Sequence, residues 1–143
     1  MGDAPLRVIE GESWDALAHA DLAWAASGTV TVEAALLGTP MVTFYRVTAP
    51  SWVVGKLLVR VPFYSMVNLI AGRGVVPELM QGDLTAGRLA EETRRLLDDQ
   101  PARQAMRAGL AEVARKLSGT AGAMRRAAAV ILEVVEGQVS HVS

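Results

Sequence analysis

Residues 21–45, DLAWAASGTVTVEAALLGTPMVTFY, leave this chain few ways to fold. The run 22–26 is short and apolar and reads as a buried strand. Ser27, Gly28 and Thr29 break it, and residues 31–37 are mostly good helix formers that Gly38 and Pro40 bring to an end. Residues 41–45, MVTFY, are a second apolar and partly β-branched run. Strand, tight turn, short helix and strand in that order predict a parallel pair, because the helix has to cross over the sheet. The expected fold class is therefore α/β, a parallel sheet with flanking helices.

That geometry places an anion site at the turn. The first backbone N–H groups of the helix have no intrahelical partner, and the aligned peptide dipoles add positive potential there. Gly28 allows close approach to the backbone. Helix side chains lean toward the N-terminus, so Glu33, about one turn in, reaches back to the mouth of the site. A carboxylate repels phosphate and suits a pair of hydroxyls, such as those of a ribose. Amides for phosphate and an acid for sugar make a nucleotide-shaped arrangement. The same residues also allow a plain alternative in which Thr29 caps the helix and Glu33 favours its dipole. The stretch contains neither GxGxxG nor a P-loop.

A chain of 143 residues is long enough to bury a core as one domain or as a piece of a larger one. Its hydrophobic fraction of 51% and mean hydropathy of +0.27 hint at a surface meant for a membrane, a partner or another domain. A net charge of −1 and a pI near 6.1 argue against nucleic acid as a partner. Without cysteine there are no disulfides, thiolate nucleophiles or Cys-ligated metals. No charged-then-apolar leader and no run of about 18 apolar residues occurs, so neither export by a signal nor a membrane span is expected.

Along the rest of the chain, residues 6–9 (LRVI) are predicted as an opening strand, and Ser13 as the N-cap of a helix over 14–20. His19 near its end fits a surface residue favouring the helix dipole. Residues 46–61, RVTAPSWVVGKLLVRV, predict an amphipathic helix with Trp52, Val53, Leu57 and Leu58 apolar and Lys56 and Arg60 basic. Such a segment suits a lipid headgroup layer or an acyl chain, and equally a helix packed on its own sheet. Residues 62–70, PFYSMVNLI, are expected to be extended. Gly72, Gly74 and Pro77 then mark a loop before a helical start with Glu78 in its first turn. Thr85 should cap a helix through Leu97, and Pro101 should open the next, with Ala102, Met106, Leu110, Val113 and Leu117 on one face. Gly119 separates this from a last helix over 121–136, and the tail containing His141 is expected to be disordered.

Hydrolytic and metal chemistry finds no footing. Neither histidine has a nucleophile motif around it, there is no zinc spacing and no HExxH, and the pairs Glu91, Glu92 and Asp98, Asp99 read as charge runs on exposed helix faces.

Specific strings add to this. SGTVTVEAALLGTPMV, FYRV and VGKLLVRVPFYSMVNLIAGRGVVPELMQGDLT, containing SGT with a following Glu, KxLVxVP, NLIAG and VPEL, resemble in order and spacing the C-terminal half of the lipid-A-disaccharide synthase family. The resemblance implies an inverting glycosyltransferase of the two-domain glycosyltransferase-B type, with a Rossmann-like donor-binding part over 1–97, C-terminal helices over 98–137 and a tail over 138–143. It implies no metal or other cofactor, UDP-2,3-diacylglucosamine as donor and 2,3-diacylglucosamine 1-phosphate as acceptor. By the same resemblance Ser27, Gly28, Thr29 and Thr31 face the diphosphate, Glu33 the ribose, and Asn68, Glu78 and Gln81 the edge of the donor cleft. The enzyme is expected to be cytoplasmic and peripheral to the inner membrane, with residues 52–61 meeting lipid. Two positions depart from the family pattern: Val67 stands where proline is usual and Gly74 where an acid is usual. The acceptor domain, its catalytic acid and an LPGSR loop are not among these residues. The chain is thus expected to bind UDP weakly, to need an N-terminal subunit or a second copy, and not to turn over alone. Another UDP-sugar transferase or epimerase, or a non-catalytic interaction module, are the alternatives.

Overall fold

The computed structural model of the protein describes residues 5–46 and 62–119. The elements are α1 (Ser13–His19), β1 (Ala23–Ala26), α2 (Thr29–Leu37), β2 (Met41–Tyr45), α3 (Met66–Ala71), β3 (Glu78–Met80), α4 (Ala86–Asp98) and α5 (Gln100–Ser118). The three strands form one parallel sheet in the order β1-β2-β3. Ala23 lies opposite Met41 and Ala26 opposite Phe44, while Thr43 lies opposite Glu78 and Tyr45 opposite Met80. This is the α/β arrangement that residues 21–45 predict, with α2 as the crossover.

β2 is central and carries the core. Met41, Val42 and Thr43 are buried, as a strand covered on both faces requires. Thr43 is tolerated there because its hydroxyl donates to the Pro77 carbonyl at 2.8 Å, and Thr39 likewise donates to the Leu17 carbonyl. Leu96 of α4 and Met106, Leu110 and Val113 of α5 complete the same cluster with Ala34, Ala35, Val67 and Leu79. Each of the larger side chains contributes about 1.5–3 kcal/mol by leaving water. α5 packs against α2, α3 and α4, and its stripe of Met106, Leu110 and Val113 is the one the spacing predicts.

Several expectations are corrected. Residues 6–9 form no strand; Leu6 and Val8 are exposed and the β1 edge takes no partner among the described residues. α1 starts at Ser13 itself, with Glu12 before it and no side-chain cap. Residues 66–71 are helical, not extended, because Ser65 caps α3 by accepting from the Asn68 N–H. Residues 78–80 are a strand rather than a helical start: Pro77 presents its carbonyl to the Thr43 N–H at 2.9 Å, and parallel pairing with β2 follows. Asp99 is a cap, not part of an idle charge run, since its Oδ1 accepts from the Ala102 N–H and starts α5 one residue before Pro101. Thr85 caps α4 as expected. The amphipathic segment, apart from Arg46, the last predicted helix and the tail lie outside the described residues.

An ionic cluster ties α5 to the loop after α3. Arg73 donates to Glu112 at 2.8 Å, and Lys116 lies 3.0 Å from the other carboxylate oxygen while donating to the Ile70 and Ala71 carbonyls. The Arg73 hydrogen bond first, and then the hydrogen bond and charge of Lys116, bring the Glu112 carboxyl from 4.5 to about 2. A carboxyl lowered on folding adds stability above its unfolded value and loses it as pH falls toward the folded one. The gap in thermal midpoint between wild type and Glu112→Gln should therefore be present near neutrality and close between about pH 4.5 and about pH 2, as a melting series across that window would record.

Gly109 fixes how closely α5 approaches the loop between α3 and β3. A Cβ there would stand 2.6 Å from Val75 Cγ1. Gly109→Ala should destabilise by about 1–3 kcal/mol in urea unfolding despite alanine's better helix propensity, because overpacking outweighs it.

Candidate functional site

In a parallel sheet the carboxyl ends of the strands fall on one edge, and ligand sites of α/β proteins lie just beyond it. Here Ser27–Thr29 follow β1, Arg46 follows β2 and Gln81 follows β3, in adjacent register. The Ser27 N–H still donates to the Phe44 carbonyl at 2.9 Å, so the turn begins from a fixed point.

The turn itself is glycine-dependent. Gly28 has φ 156° and ψ −163°, a backbone state that side-chain-bearing residues rarely adopt, and nothing lies within 4 Å of where its Cβ would be. Gly28 precedes α2 directly, and no side chain caps that helix; Thr29 is its first residue, not its cap. This removes the alternative in which Thr29 merely caps α2. The Thr31 side chain is buried and its hydroxyl donates to the Gly28 carbonyl at 2.7 Å, bracing the turn from behind. Glu33 is half-buried, one turn into α2.

On the other side of the edge, Asn68 is 2% exposed and fully engaged. Its Nδ2 donates to the Val76 carbonyl at 2.9 Å and to Glu78 Oε1 at 2.8 Å, and its Oδ1 accepts from the N–H groups of Val75 at 2.7 Å and Val76 at 3.0 Å. The Glu78 carboxylate in turn accepts from the N–H groups of Tyr64 at 3.0 Å and Ser65 at 2.9 Å, so it neutralises the start of α3 from outside that helix. The Tyr64 carbonyl accepts from the Ser27 hydroxyl at 3.1 Å. Ser27, Tyr64, Glu78 and Asn68 are thus one connected chain of polar contacts. Tyr64 and Ser65 are its members that sequence reasoning did not single out; the signal available was Ser65 three residues before Asn68, a capping spacing. Gln81 has φ 48°, the left-handed state of a non-glycine residue, immediately after β3.

Of the eight sequence-predicted residues, Ser27, Gly28, Thr29 and Gln81 lie at the carboxyl edge. Thr31, Asn68 and Glu78 have internal partners that hold that edge in shape. A separate cavity of about 560 Å³ lies away from it, lined by His19, Leu22, Trp24, Thr93 and Leu97 among others. Among the described residues no group of three or more His, Cys, Asp or Glu could hold a metal, and no helix is long and apolar enough to cross a membrane.

Residues 3–132 match the family described as Lipid-A-disaccharide synthetase. The chain belongs to the lipid-A-disaccharide synthase family. It is 68% identical over all 143 residues to the lipid-A-disaccharide synthase of Solibacter usitatus, of which it covers 38%. Over 134 residues it is 43% identical to that of Nitrosococcus oceani, and over 128 residues 44% identical to that of Myxococcus xanthus, covering 34% and 33% of those proteins. The chain therefore spans little more than a third of the length of the lipid-A-disaccharide synthases it matches.

Asn68 gives a direct test of the framework. Asn68→Ala leaves the Val75 and Val76 N–H groups without their acceptor and removes one of three donors to the Glu78 carboxylate, so it should cost about 2–4 kcal/mol in chemical unfolding. Asn68→Asp should cost as much, because a second carboxylate would face Glu78.

Proposed function

We propose that this chain is the donor-nucleotide-binding half of a lipid-A-disaccharide synthase, and that the complete enzyme transfers 2,3-diacylglucosamine from UDP to 2,3-diacylglucosamine 1-phosphate. Gly28 is the observation that carries the proposal: an uncapped helix start, at the carboxyl edge of a parallel sheet, with open space over a glycine. The free N–H groups at the start of α2 and its dipole would hold the diphosphate. Glu33 would accept from the ribose hydroxyls. Gln81 would close the β3 side, and Thr31, Asn68 and Glu78 would keep the rim in shape without touching the ligand.

The chemistry follows from what such a rim does. As the acceptor hydroxyl attacks the anomeric carbon, the bond from that carbon to the diphosphate breaks and negative charge grows on the leaving UDP. Preorganised amides stabilise that charge more in the transition state than in the ground state. The acceptor and the group that takes its proton belong to the part of the enzyme that this chain does not span, so the chain alone is inactive. Trp52, Lys56 and Arg60 would meet the anionic lipid surface that presents both substrates.

Calorimetry with UDP and with inorganic pyrophosphate tests this. UDP should bind weakly, Gly28→Ala should weaken both ligands by at least about tenfold, and Glu33→Ala should weaken UDP while leaving pyrophosphate unchanged. A folded chain that binds neither ligand, or a Glu33→Ala chain that binds UDP as wild type does, overturns the assignment. Sugar transfer by the purified chain alone would overturn the claim that it is inactive.

A further inference from the structure

α3 is a short strut with a charged group of opposite sign at each end. The last carbonyls of a helix find no partner inside it. In α3 the Gly72 N–H reaches those of Asn68 and Leu69, and Lys116 Nζ donates to those of Ile70 and Ala71 at 3.3 and 3.1 Å. Glu112 aims that ammonium. Its Oε1 stands 3.0 Å from Lys116 Nζ, while Arg73, just past the end of α3, holds its Oε2 at 2.8 Å. A cation in this place also favours the negative end of the helix dipole. At the other end the Glu78 carboxylate accepts from the N–H groups of Tyr64 and Ser65, and the Tyr64 carbonyl accepts from the Ser27 hydroxyl at 3.1 Å. Only about 9 Å of helix separates the end that Lys116 holds from the end beside Tyr64.

We propose that Lys116 is a positioning residue for nucleotide binding: by holding the last carbonyls of α3 it sets where Tyr64 meets Ser27, and so the affinity of the Gly28 turn for a diphosphate. The proposal rests on the reading of that turn as the donor site. Lys116 itself touches no ligand. It acts through α3, and the six residues of α3 are too few to stay helical in water without support at both ends. Loosening at Ala71 therefore reaches Ser65, and Tyr64 then loses the place from which it fixes the Ser27 hydroxyl. The contacts that do the holding are half-exposed, with Lys116 at 45% and Arg73 at 55%. Ion pairs of that kind are modest in strength, so the coupling is a graded one. A residue that only stabilised the fold would change melting and leave the affinity of the folded chain as it was.

Calorimetry on the 143-residue chain with UDP and with inorganic pyrophosphate tests it, on samples that circular dichroism shows to be folded. Lys116→Met keeps the apolar stem and removes the cation. It should weaken both ligands by at least about fivefold, because the route ends at the diphosphate turn and not at Glu33. Lys116→Arg, which returns a cation with N–H donors, should bind both within about twofold of wild type. Linkage gives a second reading on the unaltered chain. If α3 and the turn are coupled, saturating UDP should slow amide exchange at Ile70 and Ala71 by at least about fivefold as well. Should Lys116→Met fail to fold, that exchange measurement decides alone. A wild-type chain that binds UDP while folded Lys116→Met binds it equally well overturns the proposal and leaves the donor site standing. Unchanged exchange at Ile70 and Ala71 under saturating UDP does the same, as does a Lys116→Met chain that loses UDP but keeps pyrophosphate. A wild-type chain that binds neither ligand strikes the donor site itself, and this proposal with it.

Discussion

Asn68 commits both hydrogens and both acceptor sites of its amide inside the protein, and the carboxyl edge of the sheet depends on that. One buried side chain holds the Val75–Val76 backbone, orients Glu78 and sits in the first turn of α3. Glu78 then fixes the backbone at Tyr64 and Ser65, and Tyr64 reaches Ser27. In a low-dielectric interior such a network is stiff when complete and costly when one member is missing. Among the described residues no buried side-chain nitrogen or oxygen lacks a partner, so this one is complete.

The apolar core supplies the other half of the support. Leu96, Met106, Leu110 and Val113 share the core cluster with Met41 and Val42 of β2, and Gly109 lets α5 lie against Val75, whose N–H donates to Asn68. Packing by α5 and the Asn68 hydrogen bonds therefore act on the same loop, the one that leads into β3. The turn at Gly28 stands on the opposite side of this frame, attached to β2 through Ser27 and braced by Thr31. Neither half positions the edge without the other.

The central unit was legible because its signals are local. Apolar runs of four or five residues, the Ser-Gly-Thr break and the Gly38 and Pro40 stop each act within a few residues. The misread segments are those decided at a distance. Residues 66–71 look extended by composition and become a helix because Ser65 caps them and Glu78, thirteen residues on, accepts from the Ser65 N–H. Residues 78–80 carry a helix-start pattern, Pro followed by Glu, and become a strand because β2 offers an edge. Residues 6–9 have strand composition and find no strand to pair with among the described residues, which composition does not report. At the candidate site the residue types were legible and their contacts were not: Thr31, Asn68 and Glu78 show as polar letters in the sequence, and only the structure shows the partners they take within the protein.

α3 has six residues, too few to hold a helix in water unaided. Its start is fastened by Glu78 and its last carbonyls by Lys116, the latter 46 positions from Ile70. Such a helix cannot persist until the polypeptide through Lys116 has emerged and α5 has come to rest, so the segment that joins Ser27 to the rim is assembled late in biosynthesis. The carboxyl edge of the sheet then takes its shape only as folding through α5 is completed.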